Sequence, residues 1–143
     1  MRRLLSLASA AFAVLFDLSA FGQSSLTVVA ELSRPPKAES RMIVLVCPDM
    51  NSLDSGYNCW EAHADAQSPV TRVEIDSIPP GTYAIKVFVD ENGNEKLDLG
   101  WNGIPEEPSG FSGTNDRING VPTFPMAAIK LTDGKTVQRI KLQ

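Results

Sequence analysis

The sequence predicts an all-β fold: a single two-sheet sandwich of about seven antiparallel strands with a long Gly/Pro-rich loop. Three observations carry this expectation. Apolar and polar residues alternate in segment after segment, helical periodicity is nearly absent, and Pro, Gly and Asn turns separate the runs.

The opening residues stand apart. Arg2 and Arg3 precede an apolar run from Leu4 to Leu18, and Ala20-Phe21-Gly22 puts small residues at the cleavage-specifying positions. Residues 1–22 therefore read as a secretory signal peptide and residues 23–143 as one β-sandwich domain, secreted or periplasmic. The run is too short to span a bilayer, no later segment approaches the ~20 apolar residues a spanning helix needs, and no Cys follows at a lipidation position. Removing 22 of 143 residues leaves 121, enough for one core. Without Arg2, Arg3 and Asp17, 11 basic residues face 16 acidic ones, a net charge of −5. A chain this acidic, with no basic run, is a poor match for nucleic acid or an anionic membrane.

The strands follow in order. Leu26, Val28 and Ala30 alternate with Thr27, Val29 and Glu31, and Ser33-Arg34-Pro35-Pro36 ends that strand. Met42 to Val46 is apolar on both faces, as a central strand would be, and Pro48-Asp49 stops it. Tyr57 to Ala64 and Thr71 to Ile75 come next. Gly81 to Asp90 starts after Pro79-Pro80 and turns Tyr83, Ile85, Val87 and Val89 to the core. Met126 to Leu131 and Val137 to Leu142 read as a hairpin across Thr132-Asp133-Gly134-Lys135, because Asp-Gly between apolar runs is a strong turn signal. Cys47 and Cys59, an even pair in an exported domain, are expected to form a disulfide.

Residues 91–125 carry almost no strand pattern, and a loop of that length in a compact domain is usually functional or disordered. Trp101, Ile104 and Phe111 supply apolar anchors that argue against disorder. At its root, Asp90, Asn92, Asn94 and Asp98 stand at relative positions 1, 3, 5 and 9, with the carbonyl of Lys96 at position 7, the spacing that opens a calcium loop. Position 6 is Glu95 where that rule wants Gly, and position 12 is Trp101 where it wants Glu, so Glu106 or Glu107 would have to close the site. The competing reading is an Asx-rich turn whose side chains bond neighbouring N–H groups without an ion.

Other residues carry weaker signals. Glu61, His63 and Asp65 alternate along one strand face and could hold a transition metal, although an outward strand face is ordinarily polar. His63 is the only histidine and no Ser lies in a GxSxG context, so a Ser-His-Asp or Cys-His hydrolase finds little support. Glu106, Glu107 and Asp116 share the long loop and could serve a glycosidase-like acid pair. Trp101, Phe111 and Phe124 could form an aromatic platform or pin the loop to the sandwich.

The stretch Ile78-Pro79-Pro80-Gly81-Thr82-Tyr83-Ala84-Ile85-Lys86-Val87-Phe88-Val89-Asp90-Glu91-Asn92-Gly93-Asn94, continued by Lys96-Leu97-Asp98, resembles the exported, uncharacterised bacterial family DUF2141. Gly103-Ile104-Pro105 with Glu107, Gly110-Phe111-Ser112, and Pro122-Thr123-Phe124 with Ala127 and Ala128 continue the likeness in order. It implies a signal peptide and a transthyretin-like or immunoglobulin-like sandwich, and no reaction. Glu95 departs from relatives that place Gly after Asn94. The resulting expectation is a secreted or periplasmic non-enzymatic domain, stabilised by calcium, that binds a protein or glycan partner at the cell envelope. A hydrolase using acids of the 91–125 loop is the alternative.

Overall fold

The computed structural model describes residues 22–113 and 120–143. The signal peptide expected over 1–22, except for Gly22, and the candidate acid Asp116 lie outside the described residues.

Eight strands are described: β1 (Ser24–Leu32), β2 (Arg41–Cys47), β3 (Trp60–Asp65), β4 (Val70–Ile78), β5 (Gly81–Asp90), β6 (Ser109–Phe111), β7 (Ala128–Leu131) and β8 (Gly134–Leu142). They form two packed sheets, β4-β1-β8 and β3-β2-β5-β6, with β7 also on β5. The all-β sandwich is as the alternation requires. Met42, Val44 and Val46 of β2 and Ile85, Val87 and Val89 of β5 face Leu26, Val28 and Ile140 of the other sheet, all buried. The opposite face of β2 and β5 is covered as well: Ile43, Leu45, Ala84 and Phe88 pack with Leu53, Phe111 and Ala127 in a second cluster. Burial on both faces is why β2 carries no polar alternation.

The pairing departs from the sequence expectation in three ways. First, β7 and β8 are not a hairpin. β7 pairs antiparallel with Gly81–Ala84 of β5, while β8 crosses to the other sheet and pairs with β1. The Asp133-Gly134 turn, with Gly134 at φ +95°, thus joins two layers. Each strand satisfies its backbone on an edge left open by a strand distant in sequence, which a local turn signal does not report. Second, β8 runs parallel to β1, so the sandwich is not wholly antiparallel. Third, an eighth strand, β6, lies inside the loop read as patternless, because only three residues pair. Gly110 is required there, since a Cβ would stand 2.5 Å from the Lys141 carbonyl oxygen. Ser109 and Gln143 exchange N–H···O bonds of 3.2 and 3.1 Å beside it, stitching the sheets together.

Two short helices also escaped the periodicity. In α1 (Met50–Ser55), Asp49 caps the N-terminus by accepting the Ser52 N–H at 2.8 Å, and Gly56 at φ +77° closes the C-terminus. The expected Cys47–Cys59 disulfide is present, with a Cα–Cα distance of 4.4 Å, and it fastens α1 over the second cluster. The turn through Tyr57–Cys59 delays β3 to Trp60. The four-residue α2 (Phe124–Ala127) replaces the start of the expected last-but-one strand. Among the described residues no helix is long and apolar enough to cross a membrane.

Candidate functional site: the loop after the central strand

β5 delivers Asp90 to the end of the sandwich with its side chain 4% exposed. Its Oδ1 accepts the N–H groups of Gly93 (2.7 Å), Asn94 (3.2 Å) and Asn92 (3.3 Å), and Oδ2 accepts that of Glu95 (2.9 Å). One carboxylate thus winds the next five residues around itself. Burial pushes the Asp90 pKa up, but the four N–H donors outweigh it and hold the carboxyl below the ordinary range. Gly93 lies at φ +77° and Glu95 at φ +60°. The left-handed backbone that a calcium loop needs at its sixth position is therefore present, carried by a residue for which it costs about 1–2 kcal/mol.

Asp98 and Glu107 complete the cluster. Asn92 Nδ2 donates to Asp98 at 2.5 Å, and Asn94 Nδ2 donates to both Asp98 oxygens at 2.9 and 3.0 Å. Glu107, 6% exposed, accepts the Glu91 N–H at 2.8 Å and the Asp98 N–H at 3.3 Å, which clamps the two ends of the loop. Burial raises the Glu107 pKa; those two N–H bonds oppose the rise, and the charges of Asp98 and Asp90 add to it. Neighbouring Glu91 is treated oppositely. The bond from Arg34 (2.7 Å) leads, against burial, with Lys37 at 3.1 Å assisting, and its pKa falls. The loop after β1 is fastened to the site by these pairs.

Beyond Asp98 the chain makes a small hairpin. Glu106 N–H donates to the Asp98 carbonyl at 2.9 Å, Leu99 bridges Pro105, and Gly103 N–H closes on the Gly100 carbonyl at 2.9 Å. Trp101 sits at the apex, 99% exposed, with Leu99 and Ile104 exposed beside it. The aromatic residues therefore divide. Phe111 and the half-buried Phe124 pack into the second cluster, together with Leu97, whereas Trp101 and Ile104 do not anchor the loop. The expectation of Trp101 and Ile104 as anchors is corrected, because residues 98–106 turn back on themselves before reaching the sandwich.

The remaining candidates do not converge. Glu61, His63 and Asp65 share the outer face of β3; His63 Nδ1 takes Arg41 at 2.9 Å and Nε2 meets Glu61, and all three side chains are solvent-facing. Glu106 is exposed while its neighbour Glu107 is buried. Among the described residues no three His, Cys, Asp or Glu side chains stand as a ready metal cage. Two residues went unread in the sequence. Lys86, 6% exposed on β5, donates to the Leu53 carbonyl of α1 at 2.6 Å, and burial lowers its pKa. Ser112 accepts the Ile85 N–H at 2.8 Å and donates to the Ala127 carbonyl at 2.5 Å, filling the gap between β6 and β7 on the β5 edge. A lone Lys or Ser in an apolar-flanked motif was the only signal for either.

Fold and site together define a small two-sheet β-sandwich with a polar, side-chain-wound loop at one end. The chain belongs to the bacterial family described as "Uncharacterized protein conserved in bacteria (DUF2141)", whose model matches residues 29–139. Comparison with curated proteins and with solved structures gives no match.

Proposed function

We propose that this is an exported, non-enzymatic sandwich of the cell envelope in which calcium bound at the 90–107 loop stiffens the segment that meets a partner. Export is supported by the leader pattern of residues 1–22 and by the disulfide. The transthyretin-like or immunoglobulin-like kinship belongs to the same reading.

One observation carries the calcium assignment. The amide nitrogens of Asn92 and Asn94 both converge on the Asp98 carboxylate. Exchanging oxygen for nitrogen in each amide aims two oxygens at Asp98; the carboxylates of Asp90 and Glu107 and the Lys96 carbonyl, the other members of the loop's spacing, are hard donors of the kind calcium selects. The exchange gives up the three amide bonds to Asp98 together with those from Asn94 N–H and Lys96 N–H to these side chains (3.1 and 2.9 Å), the latter two worth about 1 kcal/mol each. Calcium at Asp98 would draw in the carboxylates of Asp90 and Glu107, which do not stand as a ready cage, and that gain is what offsets the loss and relieves the like-charge crowding at Glu107.

Calorimetric titration tests the reading. Calcium is expected to bind with release of heat, magnesium far more weakly because the loop offers no octahedral cage, and Asp98→Ala to remove the signal. Calcium should also raise the melting temperature and slow hydrogen exchange across 91–107. Identical melting and exchange in calcium and in chelator would sink the proposal.

A further inference from the structure

We propose that the Asp98–Glu106 hairpin is a docking finger that enters the interfacial layer of a lipid bilayer when calcium occupies its base; the inference rests on the calcium reading above and replaces the protein or glycan partner with a lipid surface. The apex is built for insertion. Trp101 is 99% exposed, Leu99 48% and Ile104 43%, on a turn flanked by Gly100 and Gly103 and therefore narrow and convex. Trp is the side chain that prefers the membrane–water interface, where its ring is buried and its N–H stays hydrated.

Two other occupants fit less well. A sugar stacked on Trp101 needs several polar side chains around the ring to meet its hydroxyls, but Leu99 and Ile104 are apolar and Asn102 Oδ1 is committed to the Ile104 N–H at 3.1 Å, which leaves only Asn102 Nδ2 and the Glu106 carboxylate at this turn. A folded partner needs area. Trp101 offers at most about 250 Å², and with the partly exposed Leu99 and Ile104 the tip falls short of the roughly 800 Å² per partner of a stable complex. A bilayer demands neither shape complementarity nor that area for weak, reversible attachment.

Charge supplies the dependence on calcium. Residues 90–107 hold six acidic residues and one lysine, a formal charge of −5, which equals the net charge of the whole chain after residue 22. Arg34 and Lys37 pair with Glu91, and Arg41 lies 4.0 Å from Glu95. Adding these three cations leaves −2, the charge one calcium ion cancels. Without the ion, the charged base resists approach to a low-dielectric surface; with it, the base is formally neutral and the apolar tip decides.

The experiment combines phosphatidylcholine vesicles with the calcium titration. With calcium, the protein is expected to sediment with the vesicles, and its fluorescence to shift to the blue as Trp101 leaves water. Trp60, the other tryptophan, packs edge-on against Tyr83 with ring centroids 5.3 Å apart and should not respond. Chelator should release the protein, and Trp101→Ala should bind calcium normally while losing at least about tenfold in vesicle affinity. Calcium binding by calorimetry without vesicle binding overturns the docking inference and leaves the calcium reading intact. Absence of calcium binding overturns both. Vesicle binding unchanged in Trp101→Ala, or a Trp101-dependent stable complex with a protein in place of vesicles, also overturns it.

Discussion

Of the segments that lie outside the strands of the larger sheet, α1 and the loop after β5 are held by opposite means. The α1 cover is fastened by the Cys47–Cys59 bond and by Leu53 in an apolar cluster, with a single buried ammonium, Lys86, on a helix carbonyl. The loop after β5 is held almost wholly by side-chain oxygens on backbone N–H groups, with Asp90 and Glu107 at its centre. The first is covalent and dry, so ions in solution have little to act on. The second is a cluster of acids whose arrangement a proton or a cation can change. The difference teaches where charge state can matter to this fold: at the end where polar bonds on carboxylates, and not buried area, fix the chain.

The largest effect that tests the contrast is loss of the disulfide. Cys47→Ser with Cys59→Ser is expected to cost about 3 kcal/mol in denaturant unfolding, since a loop of this length is released, while leaving the calcium titration unchanged. A calcium response that vanished with the disulfide would show that the two covers are one unit.

Asp90→Ala comes next, at about 2 kcal/mol, because four N–H groups lose a shared anionic acceptor and some of them regain water. Its counterpart is a pH effect. The folded pKa of Asp90 is lowered, so its contribution is complete above the ordinary carboxylate range and disappears as pH falls through the lower folded value. Lys86 works at the other extreme. Its folded pKa is also lowered, so the burial penalty on its charge is relieved as pH rises from that folded value towards the ordinary lysine range. Hydrogen exchange against pH should therefore loosen residues 91–95 in acid. An acid-induced loosening equal in Asp90→Ala and in the unmutated protein would assign the effect to another group.

The smallest effect sharpens the comparison within the loop. Glu95→Gly is expected to gain about 1 kcal/mol, since glycine accepts the φ of +60° without strain, and its Asp90-bound N–H is kept. The change forfeits only the long, exposed approach to Arg41, which contributes little. A loss of stability would mean that the Glu95 side chain does more than tolerate its turn.

The strands were legible wherever a run had one buried face or two: β1, β2, β4 and β5 emerged from alternation or from unbroken apolarity. The disulfide followed from an even pair of cysteines, and the wound loop from the spacing of Asp90, Asn92, Asn94 and Asp98. The helices were not legible, because α1 is six residues long and α2 four, too short for a helical period to repeat. Nor was the exposure of Trp101, since an aromatic residue in a loop has the same letter whether it anchors or projects.

The sequence alone determined the all-β class, the central strands, the polar side chains of the loop and the family, because these depend on residue type and on intervals of a few positions. Tertiary structure decided what β7 and β8 pair with, that Glu107 and not Glu106 closes on Asp98, and that the net negative charge gathers beneath an exposed Trp101. Each of those joins residues far apart in the chain or sets which way a short turn faces. Open backbone edges and free space in the folded molecule fix such relations, and neither is written in any local pattern.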